Sequence, residues 1–141
     1  MTPTPPPSID ARSLRVFHLL LTAGTGMMAL VLVGIRLGGL GSEVAPVVAT
    51  LLGAAGFAMA GGSLALRTRF GPSRRHETID EWWATNRRAQ QALVMWALAA
   101  GGVDFGAVAY FLSGQTAAAA PGIMVGLLAM AWSTPGRLER A

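Results

Sequence analysis

Four long apolar stretches alternate with short polar ones along the chain. They run from about Leu14 to Leu40, Val44 to Leu66, Ala89 to Leu112 and Thr116 to Thr134. A hydrocarbon core of roughly 30 Å takes about 20 helical residues at 1.5 Å each. The pattern therefore predicts an all-α, polytopic membrane protein: four transmembrane helices in two hairpins, filling residues 14–134. Gly38 to Val44 and Ser113 to Ala120 read as short outer turns. Pro46 falls in the first turn of the second helix, where its missing N–H does no harm, and Pro121 falls early in the fourth.

Residues 67–88 form the one substantial polar connector. Gly71-Pro72 breaks any helix there. Thr78 and Glu81 have capping-box spacing, which predicts a helix from Ile79. Nothing up to Arg88 interrupts the pattern, so this helix is expected to enter the membrane without a break. Trp82 and Trp83 are expected as interface anchors at the headgroup level. The opening MTPTPPPS predicts a disordered, proline-rich tail over residues 1–13, and residues 135–141 a second polar tail. Arg12 and Arg15 lead into an apolar run too long for the h-region of a signal peptide.

The spans differ in detail. His18, Thr22, Thr25 and Arg36 return to nearly one face of the first helix, a polar stripe expected to face other helices. Each has a plain structural use as well. His18 sits near the interface, the threonines can bond back to their own helix, and Arg36 can snorkel to headgroups. The second span is full of small residues, from Gly53 to Gly62, and is expected to be central and crowded. Gly34 and Gly38, Gly102 and Gly106, and Gly122 and Gly126 have the GxxxG spacing of helix contacts. A shift of 75 residues places Pro46 on Pro121 and Gly26 on Gly101, a faint tandem repeat of one hairpin.

Composition agrees with a membrane bundle. Hydrophobic residues make up 52% of the 141, charged residues only 13%, and mean hydropathy is +0.49. A soluble domain carries about 25% charged residues. The net charge of +4 comes entirely from arginine on the basic side. Arg67, Arg69, Arg74, Arg75, Arg87 and Arg88 lie in the connector, and Arg137 and Arg140 follow the last span. The positive-inside rule then places the connector and both termini in the cytoplasm of a bacterial inner membrane. Membrane bias explains the high pI without nucleic acid. The absence of Cys excludes disulfides and thiolate chemistry.

No catalytic motif is present: no GxSxG, HExxH, Walker loop or dinucleotide fingerprint. Catalytic residues and metal ligands are expected to be none, and no cofactor is implied, although apolar walls leave room for a lipid, quinone or pigment. Asp104 stands apart as a carboxylate in mid-span. A charge at that depth costs about 3 kcal/mol or more and is ordinarily paired, protonated or functional. Its helix neighbours Ala97, Ala100, Gly101, Ala107 and Val108 are small, which suits burial against another helix. It reads either as a structural group bonded to Arg36, Thr25 or a backbone carbonyl, or as a proton- or cation-exchanging carboxylate.

Gly53 to Gly62, then Arg67 and Arg69, then GGVDFGAVAYFL resemble the hairpin of rotary ATP synthase proteolipid (c-type) subunits. That resemblance covers the middle of the chain and implies an ion-carrying ring with Asp104 as its carboxylate. The chain departs from that pattern in lacking alternate-residue glycines and an Arg-Gln-Pro loop, and in its longer connector. The overall layout is equally similar to small uncharacterised four-helix bacterial membrane proteins. The expectation is a non-enzymatic accessory or scaffold subunit whose partners are lipids and other membrane subunits or itself. The alternative is a proton- or cation-handling protein centred on Asp104.

Overall fold

A computed structural model describes residues 10–41, 44–70 and 78–140. Among these the chain is helical, with no strand. Its elements are α1 (Ala11–Leu37), α2 (Pro46–Arg67), α3 (Ile79–Ala84), a 3₁₀ turn (Thr85–Arg87), α4 (Arg88–Ser113), α5 (Thr116–Trp132) and α6 (Pro135–Leu138). Three of them, α1, α2 and α4, are long and apolar enough to cross a membrane; α5 is apolar but has 17 residues. The expectations for residues 1–9, the Gly71-Pro72 break, Arg74 and Arg75 lie outside the described residues.

The helix ends follow local chemistry. Asp10 caps α1 by accepting from the Ser13 N–H at 2.7 Å, and Asp80 accepts from the Ala11 N–H at 2.9 Å. Two carboxylates thus satisfy the first donors, and α1 starts at Ala11, inside the expected tail. At its other end Gly39 turns left-handed at φ +83°. Leu40 N–H then bonds Ile35 O, and Gly39 N–H bonds Arg36 O. This is a Schellman stop, which closes the helix at Leu37 rather than Leu40. Gly114, at φ +69°, ends α4 in the same left-handed region. Pro46 is at the start of α2 as read, but Pro121 lies one turn deeper, inside α5.

The capping box at Thr78 is present in full. Glu81 N–H donates to Thr78 Oγ1 at 3.3 Å, and Thr78 N–H returns a bond to Glu81 at 2.9 Å. The continuous third helix is not. Thr85 is extended and Arg87 is left-handed at φ +58°, so α3 and α4 are separate. A non-glycine residue in that region costs about 1–2 kcal/mol. The break folds α3 back so that Trp82 and Trp83 are 1% and 0% exposed. Each fully buried large side chain gains roughly 1.5–3 kcal/mol, so the kink is favourable. These tryptophans therefore do not face outward as interface anchors; they form the core of the base.

That base is the best-knit part of the molecule. Trp82, Trp83 and Trp96 pack with Phe70, Leu14, Met95 and Leu138. The Trp82 and Trp83 rings meet edge to face at 4.8 Å. The Trp83 indole donates to Glu139 at 3.0 Å, Glu139 pairs with Arg15 at 2.9 Å, and the Trp96 indole donates to Ser133 O at 2.8 Å. The polar tail packs back on this base over residues 135–140: Pro135 starts α6 and Leu138 is fully buried, while Arg137 and Arg140 are exposed.

Above the base, α4 is the hub. It packs against α2, α5 and α1, while α1 has little contact with α2. The second helix is crowded, as read, but the third span holds the centre. The two hairpins of the apparent repeat are accordingly unequal: α4 and α5 pack as a pair, α1 and α2 do not.

Glycines make the α2, α4 and α5 contacts. A Cβ on Gly102 would meet Gly56 O at 2.9 Å, and one on Gly122 would meet Gly102 O at 2.8 Å. Three helices therefore touch backbone to backbone at one junction, the small-residue packing that membrane helices use. A Cβ on Gly106 would meet Ala119 O at 2.8 Å, one on Gly126 would meet Ala99 O at 2.7 Å, and one on Gly53 would collide with Ala118 O. The third GxxxG pair behaves differently. A Cβ on Gly34 would meet nothing within 4 Å, and one on Gly38 only carbonyls of its own helix.

Candidate functional site

The polar stripe of α1 faces α4, and the two helices run in the same direction. His18 lies edge-on to Trp96 with ring centroids 4.8 Å apart. At the far end the Arg36 guanidinium lies against Gly114. Trp96 follows His18 by the same number of residues as Gly114 follows Arg36, so one register holds along the whole seam. That register brings Thr25 level with Val103, next to Asp104.

Leu14, His18 and Thr25 are buried along this seam. Thr22 donates its hydroxyl to His18 O at 2.8 Å, the back-bond expected of an intrahelical threonine. His18 Nε2 is enclosed and has no hydrogen-bond partner, while the Met130 backbone lies against the ring. Asp104 is half-buried, and its Oδ1 is likewise enclosed without a partner. His18 Nε2 on α1 and Asp104 Oδ1 on α4 are thus two enclosed atoms without a hydrogen-bond partner, while the His18 ring also bonds the Met130 backbone.

Arg36 does not pair with Asp104. A Cβ on Gly41 would sit 2.5 Å from Arg36 Nη1, and one on Gly114 would sit 2.7 Å from Nη2. The side chain is threaded between Gly41 and Gly114, beyond the C-terminal ends of α1 and α4, where Val44 N–H also bonds Leu112 O at 3.2 Å. Arg36 lies about 15 Å beyond the level of Asp104, at 1.5 Å per residue. Among the described residues the one ion pair is Arg15 with Glu139, at the base.

Outside the long apolar helices, Glu81 and Asp10 serve as helix caps. Hydrogen bonds from the Thr78 backbone and hydroxyl keep Glu81 below its ordinary value, and bonds from Ser13 do the same for Asp10. Among the described residues no three His, Asp or Glu side chains converge as metal ligands.

A groove of about 530 Å³ opens beside the seam at its base, lined by Leu14, Phe17, Leu93, Val94 and Ala97. A second, of about 430 Å³, lies between α2 and α5 and is lined by Leu64, Val125, Leu128, Ala131, Trp132 and Arg137. Neither is legible in the periodicity of a single helix, because each arises where two helices meet. Glu139 was equally hidden: nothing local marks a tail carboxylate as the acceptor for an indole 56 positions away. No family model, curated protein or solved structure matches the chain.

Proposed function

We propose that the chain is a non-enzymatic accessory subunit of a larger complex in the bacterial inner membrane. It spans the bilayer four times, with the base and both termini in the cytoplasm. One contrast carries the reading. The glycines of α4 and α5 are used for packing inside the molecule, whereas Gly24, Gly26 and Gly34 of α1 meet nothing within 4 Å. Glycine inside a helix costs roughly 0.5–1 kcal/mol relative to alanine. Contact with a further helix offsets that cost; contact with lipid does not. Gly34 also lies on the face of α1 opposite Leu14, His18 and Thr25, so it is turned away from the bundle.

Mild-detergent purification of the wild type and of Gly34→Leu tests this. The wild type is expected to bring a fixed set of larger membrane proteins in constant ratio. The variant is expected to keep its melting temperature and lose them. Cysteine at Gln115 should react with an impermeant reagent from outside the cell, and cysteine at Thr68 should not.

A second reading rests on the seam. Asp104 and His18 each present an enclosed, unpartnered atom where α1 meets α4, which suits a proton- or cation-exchanging carboxylate. Asp104→Asn keeps size and polarity but cannot exchange a proton. Normal assembly with loss of ion-dependent function would favour this reading, as would purification as a homo-oligomeric ring.

A further inference from the structure

The molecule holds two arginine–tryptophan pairs built on one plan. Arg88 lies 4.6 Å over the Trp82 ring and donates to Trp82 O at 3.2 Å. Arg67 lies 5.0 Å over the Trp132 ring and donates through Nε to Trp132 O at 3.3 Å. The first pair is closed, because Trp82 is 1% exposed and belongs to the core of the base. The second is open: Trp132 is 55% exposed and walls the groove between α2 and α5.

This groove has two kinds of surface. Leu64, Val125, Leu128 and Ala131 make it apolar over about two helical turns, some 10 Å along α5. Arg137 stands at its mouth, and Arg67 stands over the Trp132 ring. Arg67 uses its Nε on a carbonyl, which leaves the other guanidinium N–H groups. Among the described residues neither arginine has a carboxylate partner, since the one ion pair belongs to Arg15 and Glu139.

We propose that this groove binds one anionic phospholipid. Its acyl chain lies along Leu64, Val125 and Leu128, and its phosphate lies between Arg67 and Arg137 with the glycerol against the Trp132 indole. A planar guanidinium matches a phosphate diester in two-point geometry, and an exposed indole suits the headgroup level. The proposal rests on the bilayer placement given above, with the base in the cytoplasm. Arg67 also satisfies the end of α5, as a basic residue near a helix C-terminus does. Arg137 lines the groove without such a duty, so it is the cleaner handle.

The test is native mass spectrometry of the intact chain released from vesicles of equal phosphatidylglycerol and phosphatidylcholine with identical acyl chains. The wild type should retain one phosphatidylglycerol per chain in preference to phosphatidylcholine. Arg137→Gln should lower that preference roughly fivefold, the effect of one arginine at an anionic surface. Arg67→Lys, which keeps the charge, should lower it less than Arg67→Gln. Added inorganic phosphate should not compete. Equal retention of the two lipids by the wild type would overturn the proposal, as would an unchanged preference in the Arg67→Gln, Arg137→Gln pair. Displacement by phosphate would mean a free-anion site instead and would also overturn it. Resistance of the same vesicles to alkaline extraction reports insertion separately, so a failed lipid preference in inserted protein would leave the membrane placement standing.

Discussion

α1 and α4 lie side by side, point the same way, and are both apolar enough to cross a membrane. Yet 56% of the apolar window of α4 is buried in the molecule, against 11% of that of α1. Hydropathy does not separate them; side-chain size does. α4 meets its neighbours through Ala99, Gly102, Gly106 and Ala107, whereas α1 sends Leu19, Leu20, Met27 and Leu30 outward, each more than 65% exposed. Where lipid is as apolar as leucine, large side chains gain little by turning inward, and small ones let backbones meet. α4 is the hub because it presents small contact faces to two neighbours, Gly102 to α2 and Gly106 to α5.

The sharpest way to break the comparison is to remove a large ring from each helix. Trp96 is fully buried on α4 and bonded to Ser133 O. Trp96→Ala should cost about 3–5 kcal/mol. Phe17 on α1 is 45% exposed. Phe17→Ala should cost much less, and equal losses in reversible unfolding would refute the division into hub and outlier. Glycine replacements make the next test. Gly102→Leu must displace the Gly56 backbone and the Ala60 Cβ, at about 1–3 kcal/mol or more because backbone cannot yield. Gly34→Leu meets open space and should change stability by less than about 0.5 kcal/mol.

Much of this division could be read in advance, and the limits are instructive. The bounds of α2 fall within two residues, and those of α4 within one, of the apolar spans read from the hydrophobic pattern, because composition changes sharply at Arg67 and Arg88. The Thr78 capping box was legible because its atoms are three residues apart. The break at Arg87 was not, since its left-handed backbone is imposed by burial of Trp82 and Trp83, a contact with distant partners. Of the polar stripe of α1, His18 and Thr25 lie on its buried face. Arg36 was a natural partner for Asp104 by charge, but the parallel register of α1 on α4 places it at the far end, between Gly41 and Gly114. Register between helices is a tertiary property that no single helix records.

Smaller effects sharpen how α1 is held. Glu139 joins Arg15 of α1 to Trp83 of α3. Glu139→Gln removes a half-exposed ion pair and weakens the indole bond, so about 0.2–1 kcal/mol should be lost from the ion pair. Faster proteolysis near Arg12 and Arg15, with the hub intact, is the expected sign. The smallest effect is the pH response of α3. The folded-state value of Glu81 lies below its ordinary 4.5, so its capping contribution is complete above that value and is lost as pH falls through the lowered one. The protection of the Trp82 to Ala84 amides, relative to their intrinsic exchange rates, should fall as pH drops below 4.5, and that of mid-α4 should not.

The outward face of α1 is the test of the whole account. A photo-crosslinking side chain placed at Met27 or Leu30 on α1, and at Met124 or Leu128 on α5, reports what each exposed face touches in native membranes. The α1 positions should give discrete, heavier protein adducts of constant size, lost on adding Gly34→Leu, and the α5 positions should give lipid adducts. Lipid adducts alone from both faces would contradict an accessory subunit docked through α1.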